Sequence, residues 1–192
     1  MHRRIVAHRI RSPFDSSRHR AQLGRYVQAV GIICDYFIAR DDDEALLAMT
    51  ATGGPGGVDS RVADVVPLKG VLPWTDAPVL AAAAIGCRQS ELGDWMSDEP
   101  LATESGGEVM LVRMPVQFQR GLASLGDDRL DAVAAEWSRE SRYELDRSTL
   151  VPTSEGGSQS MADMQVEMVS DLRSLSQRAE ASGAHIYCWV CV

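Results

Sequence analysis

A nearly continuous apolar run, VGIICDYFIA at residues 30–39, gives way at once to the acidic series Asp41, Asp42, Asp43 and Glu44. A run of that length, rich in Val, Ile and aromatic residues, predicts a strand buried on both faces. Alternation with a period of two puts Ile32, Cys34 and Tyr36 on one face and Ile33, Asp35 and Phe37 on the other. The acids that follow predict a helix capped by Asp41 or Asp42, because a carboxylate satisfies the open amides of a first turn and suits the positive end of the helix dipole. Leu46, Leu47 and Met49 are its expected apolar face. A second apolar run, HIYCWVCV at residues 185–192, closes the sequence. The two strands are expected to pair at the centre of one sheet.

Between them, Gly53, Gly54, Pro55, Gly56 and Gly57 break the first helix, and residues 64–68 read as a short strand interrupted by Pro67. Thr75 is placed to cap a helix over 75–88, with Pro78 tolerated in its first turn and an alanine-rich face suited to close packing. Residues 89–107 are rich in Asp, Glu, Ser and Gly. They predict a long surface loop in which Trp95 and Met96 serve as buried anchors or as part of a lid. A third strand over 108–114 would set Val109, Leu111 and Arg113 against Met110, Val112 and Met114. A helix over 115–125 opens on proline, and the next, opened by Asp127 or Asp128, carries the stripe Leu130, Val133, Ala134, Trp137 and Ser141. A polar loop at 154–160 leads into a last helix over 160–182, where Met161, Met164, Met168, Leu172, Leu175 and Ala179 recur at three- and four-residue steps. That stripe reads as core rather than as a Met-rich groove, and Gly183 is placed to end the helix in left-handed geometry. The pattern predicts an α+β fold: one domain over residues 30–192, with a small mixed sheet, the N-terminal and C-terminal strands central, and about five helices packed on it.

Charge divides the chain at the same point. Residues 1–29 hold seven arginines, three of the four histidines and one acid, Asp15, which leaves 12 bases against 26 acids in residues 30–192. The first segment therefore carries +6 and the second −14. Residues 1–29 read either as a disordered basic arm that contacts nucleic-acid phosphate or folds back on the acidic domain, or as an extension that reflects start-site choice. No aromatic or Gly-rich spacing of nucleic-acid readers accompanies the arginines. The acidic remainder repels nucleic acid, which is an expected partner only through the arm. No apolar run approaches the roughly 18 residues of a membrane span, and Arg9, Arg11 and Asp15 interrupt any secretory core. A cytoplasmic location follows as the expectation, with Cys34, Cys87, Cys188 and Cys191 as thiols.

Cys188-Trp-Val-Cys191 has redox or zinc spacing. A redox pair needs its first sulfur at a helix N-terminus, whereas residues three apart in a strand point to opposite faces. A zinc site would have only Cys34, Cys87 and His185 left to supply its other ligands. No metal and no cofactor is expected. The glycines at 53–57 lack the lysine of a phosphate-binding loop and the spacing of a dinucleotide fold. Glu136, Glu140 and Glu144 recur every four residues without an interleaved histidine, as a solvated helix face does. His185 is the only histidine outside the first 29 residues, so a histidine base would have to be this one, with Cys34 or Cys191 as nucleophile and Asp35 as orienting carboxylate. Asp35 is the anomaly, because a carboxylate in a strand built for burial must find partners or lose its charge.

Cys34-Asp-Tyr-Phe37, the Gly-Gly-Pro turn at 53–55, Leu68-Lys-Gly70, the stretch from Asp128 to Trp137 with Leu130, Ala134 and Ala135, and the closing Tyr187-Cys-Trp189 together resemble a family of uncharacterised actinobacterial proteins of similar length. The resemblance covers most of residues 30–192 and none of the preceding segment. It implies no activity, cofactor or catalytic residue, but it does imply that Asp35 and the aromatic final strand belong to a recurring arrangement. This chain has Val71-Leu-Pro-Trp74 where the family has a more regular helix. The functional expectation is a non-enzymatic protein-binding module that uses its acidic surface. The alternative is a small-ligand-binding protein or hydrolase-like enzyme, with a cleft lined by Asp35, Tyr36, His185 and Trp189.

Overall fold

The computed structural model of the protein describes residues 32–192 except 58, 61, 63, 70, 96–98, 142–149 and 153–157. The segment read as a basic arm, together with Met96 and Glu144, lies outside the described residues. Residues 31–192 form one compact α+β unit. Its strands are β1 (Ile33–Ala39), β2 (Val65–Lys69), β3 (Ala102–Glu104), β4 (Val109–Arg113), β5 (Leu150–Pro152), β6 (Ser158–Ser160) and β7 (His185–Cys191). Its helices are α1 (Asp42–Met49), α2 (Asp76–Ile85), α3 (Val116–Ala123), α4 (Leu130–Glu140) and α5 (Met161–Ser182). Five strands make one sheet in the order β2-β1-β7-β4-β3, and β5 and β6 pair as a separate ribbon.

β7 pairs with β1 along its whole length and with β4 over Val109–Arg113, so the first and last strands hold inner positions as the sequence predicts. The sheet is not mixed: every neighbouring pair is antiparallel. The chain reverses between β1 and β2 and between β3 and β4, and α5 returns it so that β7 enters between β1 and β4 against the direction of both. No parallel neighbour, with its obligatory crossover, arises. Pro67 is accommodated because β2 is an edge strand, where a missing amide costs no ladder bond.

Helices α2 to α5 cover the face made by Cys34, Tyr36, Val112, Ile186, Cys188 and Val190. The Tyr36 ring stacks on Phe118 with centroids 5.9 Å apart, and Trp95 meets Phe118 edge-on at 6.3 Å. Trp95 donates its Nε1 proton to the Pro73 carbonyl at 3.1 Å, which makes it an anchor. Gln119 ties α3 to the last turn: its Nε2 donates to Glu180 Oε1 (2.7 Å) and to the Ala184 carbonyl (3.1 Å), and its Oε1 accepts from Ile186 N (3.2 Å). The opposite face, built from Phe37, Ala39, Leu111, Tyr187 and Trp189, packs on Ala45, Ala48 and Met49 of α1.

Helix ends follow local chemistry. The Asp41 side chain accepts from Glu44 N at 2.9 Å and caps α1. Leu47, expected on the apolar face of α1, is 74% exposed, because that helix buries a narrow stripe. Thr75 occupies the cap position of α2 without capping it; its hydroxyl donates to Asp76 Oδ2, which also accepts from Leu72 N, both at 2.9 Å. α2 ends at Ile85 against a left-handed Gly86, short of residue 88. Residues 89–107 are not all loop: they contain two short 3-10 turns and β3, which pairs with β4. The stripe of α4 is buried at Val133, Ala134 and Trp137. Gly183 ends α5 in left-handed geometry.

Candidate functional site

Asp35 lies between Pro67 on β2 and Trp189 on β7, at the side of the sheet away from α2 to α5. It is 6% exposed. The Gly56 amide donates to its carboxylate, and two residues earlier Gly54 lies flat on the Trp189 ring. A Cβ at Gly54 would come within 2.9 Å of that ring, and φ there is +73°, so the sequence needs glycine at this point for both contact and conformation. Burial pushes the Asp35 carboxyl above its ordinary range, and the Gly56 hydrogen bond offsets part of the rise. Trp189 is 8% exposed, and its Nε1 has no hydrogen-bond partner among the described residues. The glycine segment is therefore a cover for Asp35 and Trp189. It does not cradle phosphate: the Gly56 amide is taken by Asp35, Gly54 N bonds the Ala51 carbonyl (2.9 Å) and Gly57 N bonds the Gly54 carbonyl (3.0 Å).

Of the four residues expected to line a cleft, only Asp35 and Trp189 meet. Tyr36 is on the opposite face, fully buried, with its hydroxyl donating to the Val71 carbonyl at 2.9 Å. Burial pushes its phenol well up, and the neighbouring Cys188 and Cys34 add to the rise. His185 stands opposite Ala39, four residues along β1 from Asp35, which is about 13 Å at the rise of a strand. The stacked pair Phe37 and Tyr187, with centroids 5.8 Å apart, fills the space between. Cys34 is fully buried against the helices, on the far side of the sheet from Asp35. The nucleophile, base and orienting acid of a hydrolase are thus not assembled from these residues.

Cys188 and Cys191 take opposite faces, as strand alternation demands. The Cys188 thiol is fully buried and pushed well above its ordinary range by that burial, so it stays protonated. Among the described residues no group of three or more His, Cys, Asp or Glu side chains is placed to hold a metal ion. Tyr187 donates to Asp42 Oδ1 at 2.7 Å, and Arg113 Nη1 lies 3.4 Å from the same oxygen. Burial and then the Asp42 carboxylate push the Tyr187 phenol up. Among the described residues no helix is long and apolar enough to cross a membrane.

Sequence reasoning missed the surface. A shallow depression of about 420 Å³ lies along the seam of α2 and α3. Ile85, 44% exposed, and Val116, 49% exposed, are two of the five large apolar side chains that the described residues leave in water. Arg120 and Arg129 lie with them, and no carboxylate is in the lining. The helices approach closely because α3 has Gly121 here, where a Cβ would come within 2.8 Å of Ile85 Cγ1. Arg129 donates to the Ala84 carbonyl (3.1 Å) and the Ala83 carbonyl (3.2 Å), capping the C-terminus of α2. A second depression, about 490 Å³, follows the seam of α4 and α5, with Leu130, Val166, Asp131, Asp163, Glu167 and Asp171 in its lining and no base. The only sequence signals for the first are Ile85 just before Gly86 and Val116 just after Pro115, two aliphatic residues at helix boundaries.

Comparison with protein-family models, with curated proteins and with solved structures finds no match to this chain.

Proposed function

We propose that this protein is a non-catalytic protein-binding module and that the α2–α3 seam receives an acidic, aliphatic segment of its partner. The observation that carries this reading is the composition of the seam: two exposed aliphatic residues and two arginines, without a carboxylate, on a unit with 26 acids against 12 bases. Ile85 and Val116 add a small apolar area beside the two arginines. A basic patch on an acidic body discriminates between partners and speeds encounter with an acidic one. Five other arginines pair with carboxylates of the chain's own surface: Arg40, Arg88, Arg113, Arg173 and Arg178. Arg129 is anchored on neutral carbonyls instead, and among the described residues no carboxylate pairs with it. On this reading the protein works in the cytoplasm with its cysteines as thiols, and it belongs with the actinobacterial proteins whose motifs it resembles. The closed state of Asp35 and its distance from His185 weigh against the ligand-cleft alternative.

The test is fluorescence anisotropy at physiological salt with a labelled helical peptide that presents Glu and Leu on one face. Val116→Asp and Arg120→Glu are each expected to weaken binding at least about tenfold. Binding by both variants as tight as by the wild type, or turnover of hydrolase or reductase substrates by the wild-type protein, would overturn the reading.

A further inference from the structure

The glycine segment that covers Asp35 is bonded mainly to itself. Gly54 N donates to the Ala51 carbonyl (2.9 Å), Gly57 N to the Gly54 carbonyl (3.0 Å) and Ser60 N to the Gly57 carbonyl (3.0 Å), so one turn follows another along it. Among the described residues, its one hydrogen bond to the sheet runs from the Gly56 amide to the Asp35 carboxylate. The rest of its hold is apolar: Gly54 and Pro55 are buried, and Gly54 lies on the Trp189 ring. Beneath it two polar groups are short of partners. Asp35 and Trp189, opposite one another on β1 and β7, are 6% and 8% exposed, and the Trp189 Nε1 proton is buried without an acceptor among the described residues. Water would satisfy both groups, so opening relieves what closure costs, against the loss of the apolar contact on the ring. Gly53 and Gly54, at φ +83° and +73°, give the segment the backbone freedom of a hinge.

We propose that residues 51–57 are a hinged cover that leaves the sheet as a unit, that Asp35 is its latch, and that the opened state presents the Asp35 carboxylate and the Trp189 indole to water. The device lies on the face of the sheet away from α2 to α5 and does not rest on the protein-binding reading. Linkage gives the direction of gating. Burial raises the Asp35 carboxyl by more than the Gly56 bond lowers it, so closure takes up a proton and opening releases one. A neutral Asp35 favours the closed cover and an ionised one the open cover. The cover itself has no titratable side chain. Around Asp35, β2 has Lys69 at the neighbouring register position, and β7 has Tyr187, Cys188 and Cys191. On α1, Asp41 caps the helix, Asp42 accepts from Tyr187, Glu44 pairs with Arg40 and Asp43 is exposed. Beyond the cover, Asp59 is exposed and Asp64 pairs with Arg178. Burial and the Gly56 amide govern Asp35 rather than any of these.

Hydrogen exchange followed by NMR on the full chain tests this at the Gly56 amide and the Trp189 Nε1 proton. The Cys188 amide, on a strand paired on both sides, is the reference for unfolding of the whole unit. Each rate divided by that of an unstructured peptide at the same pH gives an opening constant. Gly56 and Trp189 Nε1 are expected to open together, at least about tenfold more readily than Cys188. As pH rises above the ordinary aspartate range their opening constant is expected to grow at least about threefold and then level off, whereas in Asp35→Asn it stays flat. Asp35→Ser, which also lacks the titrating group, is the second variant if Asp35→Asn does not fold. Exchange at Gly56 and Trp189 no faster than at Cys188, opening that differs between the two, a constant that does not change with pH, or a rise that persists without the Asp35 carboxyl would each overturn the proposal.

Discussion

Replacing Asp35 with asparagine is expected to stabilise the protein at neutral pH. The ionised carboxylate is held at 6% exposure, and the Gly56 amide is the hydrogen-bond donor that favours its charged form. A buried polar group short of partners costs about 1–3 kcal/mol, more when charged. Asparagine keeps an acceptor for Gly56 and removes the charge, but it adds an NH2 group that must also be satisfied, so the net gain is set at about 1 kcal/mol. For a unit of this size that raises Tm by about 2–4 °C. The sign follows from linkage. The folded-state pKa of Asp35 lies above its ordinary value of 3.8, so the folded protein holds this proton more tightly than the unfolded chain does. The favourable contribution of the neutral acid is complete below the unfolded pKa and is lost as pH rises through the folded one. The advantage of Asp35→Asn should therefore be near zero below the ordinary aspartate range, grow as pH rises above it, and level off once pH has passed the folded-state pKa. Urea denaturation of both proteins from pH 3 to pH 8 measures it. A variant less stable than wild type at pH 7, or a difference that does not change with pH, would refute the account of Asp35 as a charge held at a cost.

Gly54→Ala places a methyl group against the Trp189 ring at a positive φ; it should destabilise by more than about 1 kcal/mol and shift Trp189 emission, both visible in one fluorescence-monitored melt. Gln119→Ala leaves the Ile186 amide and the Ala184 carbonyl without their side-chain partner. A loss of about 2–3 kcal/mol in urea denaturation is expected, and the amides of the last turn should exchange faster with solvent. Tyr36→Phe removes the bond to the Val71 carbonyl and should cost about 1 kcal/mol while leaving peptide binding at the α2–α3 seam unchanged, since Tyr36 is fully buried.

The parts legible in the sequence are those governed by short periods. Alternation over 30–39 and 185–192 separated the Cys34 face from the Asp35 face and set the two sulfurs of Cys188 and Cys191 apart, as the register of β1 and β7 has them. Helix periodicity likewise picked out Val133, Ala134 and Trp137 as core. Features built by long-range contact were not legible. Gln119 reads as an ordinary polar residue of α3 until Glu180, Ala184 and Ile186 arrive from more than sixty positions away. Asp35 was visible as an anomaly, but its cover was not, because the glycines at 53–57 read equally as a flexible break. β3 was lost in residues 89–107 because three polar-leaning residues at a sheet edge have too little alternation to register. The α2–α3 depression has no periodic signature at all, since its residues come from the end of one helix, one face of the next and the turn before a third.

Interior and surface differ in the chemistry they hold. The residues with obvious chemistry are committed inside: the Cys34 and Cys188 thiols and the Tyr36 phenol are fully buried, Asp35 is covered by Gly56, and Tyr187 bonds Asp42. Burial favours the neutral form of each of Asp35, Tyr36, Tyr187 and Cys188. What the fold exposes instead is charge sorted by sign, with arginines beside the aliphatic residues of one seam and carboxylates beside those of another. On a unit with more than twice as many acids as bases, the carboxylate-free α2–α3 seam is the departure, and its Arg129 also caps α2. The proposed binding rests on that seam, and the buried Asp35 belongs to the account of stability.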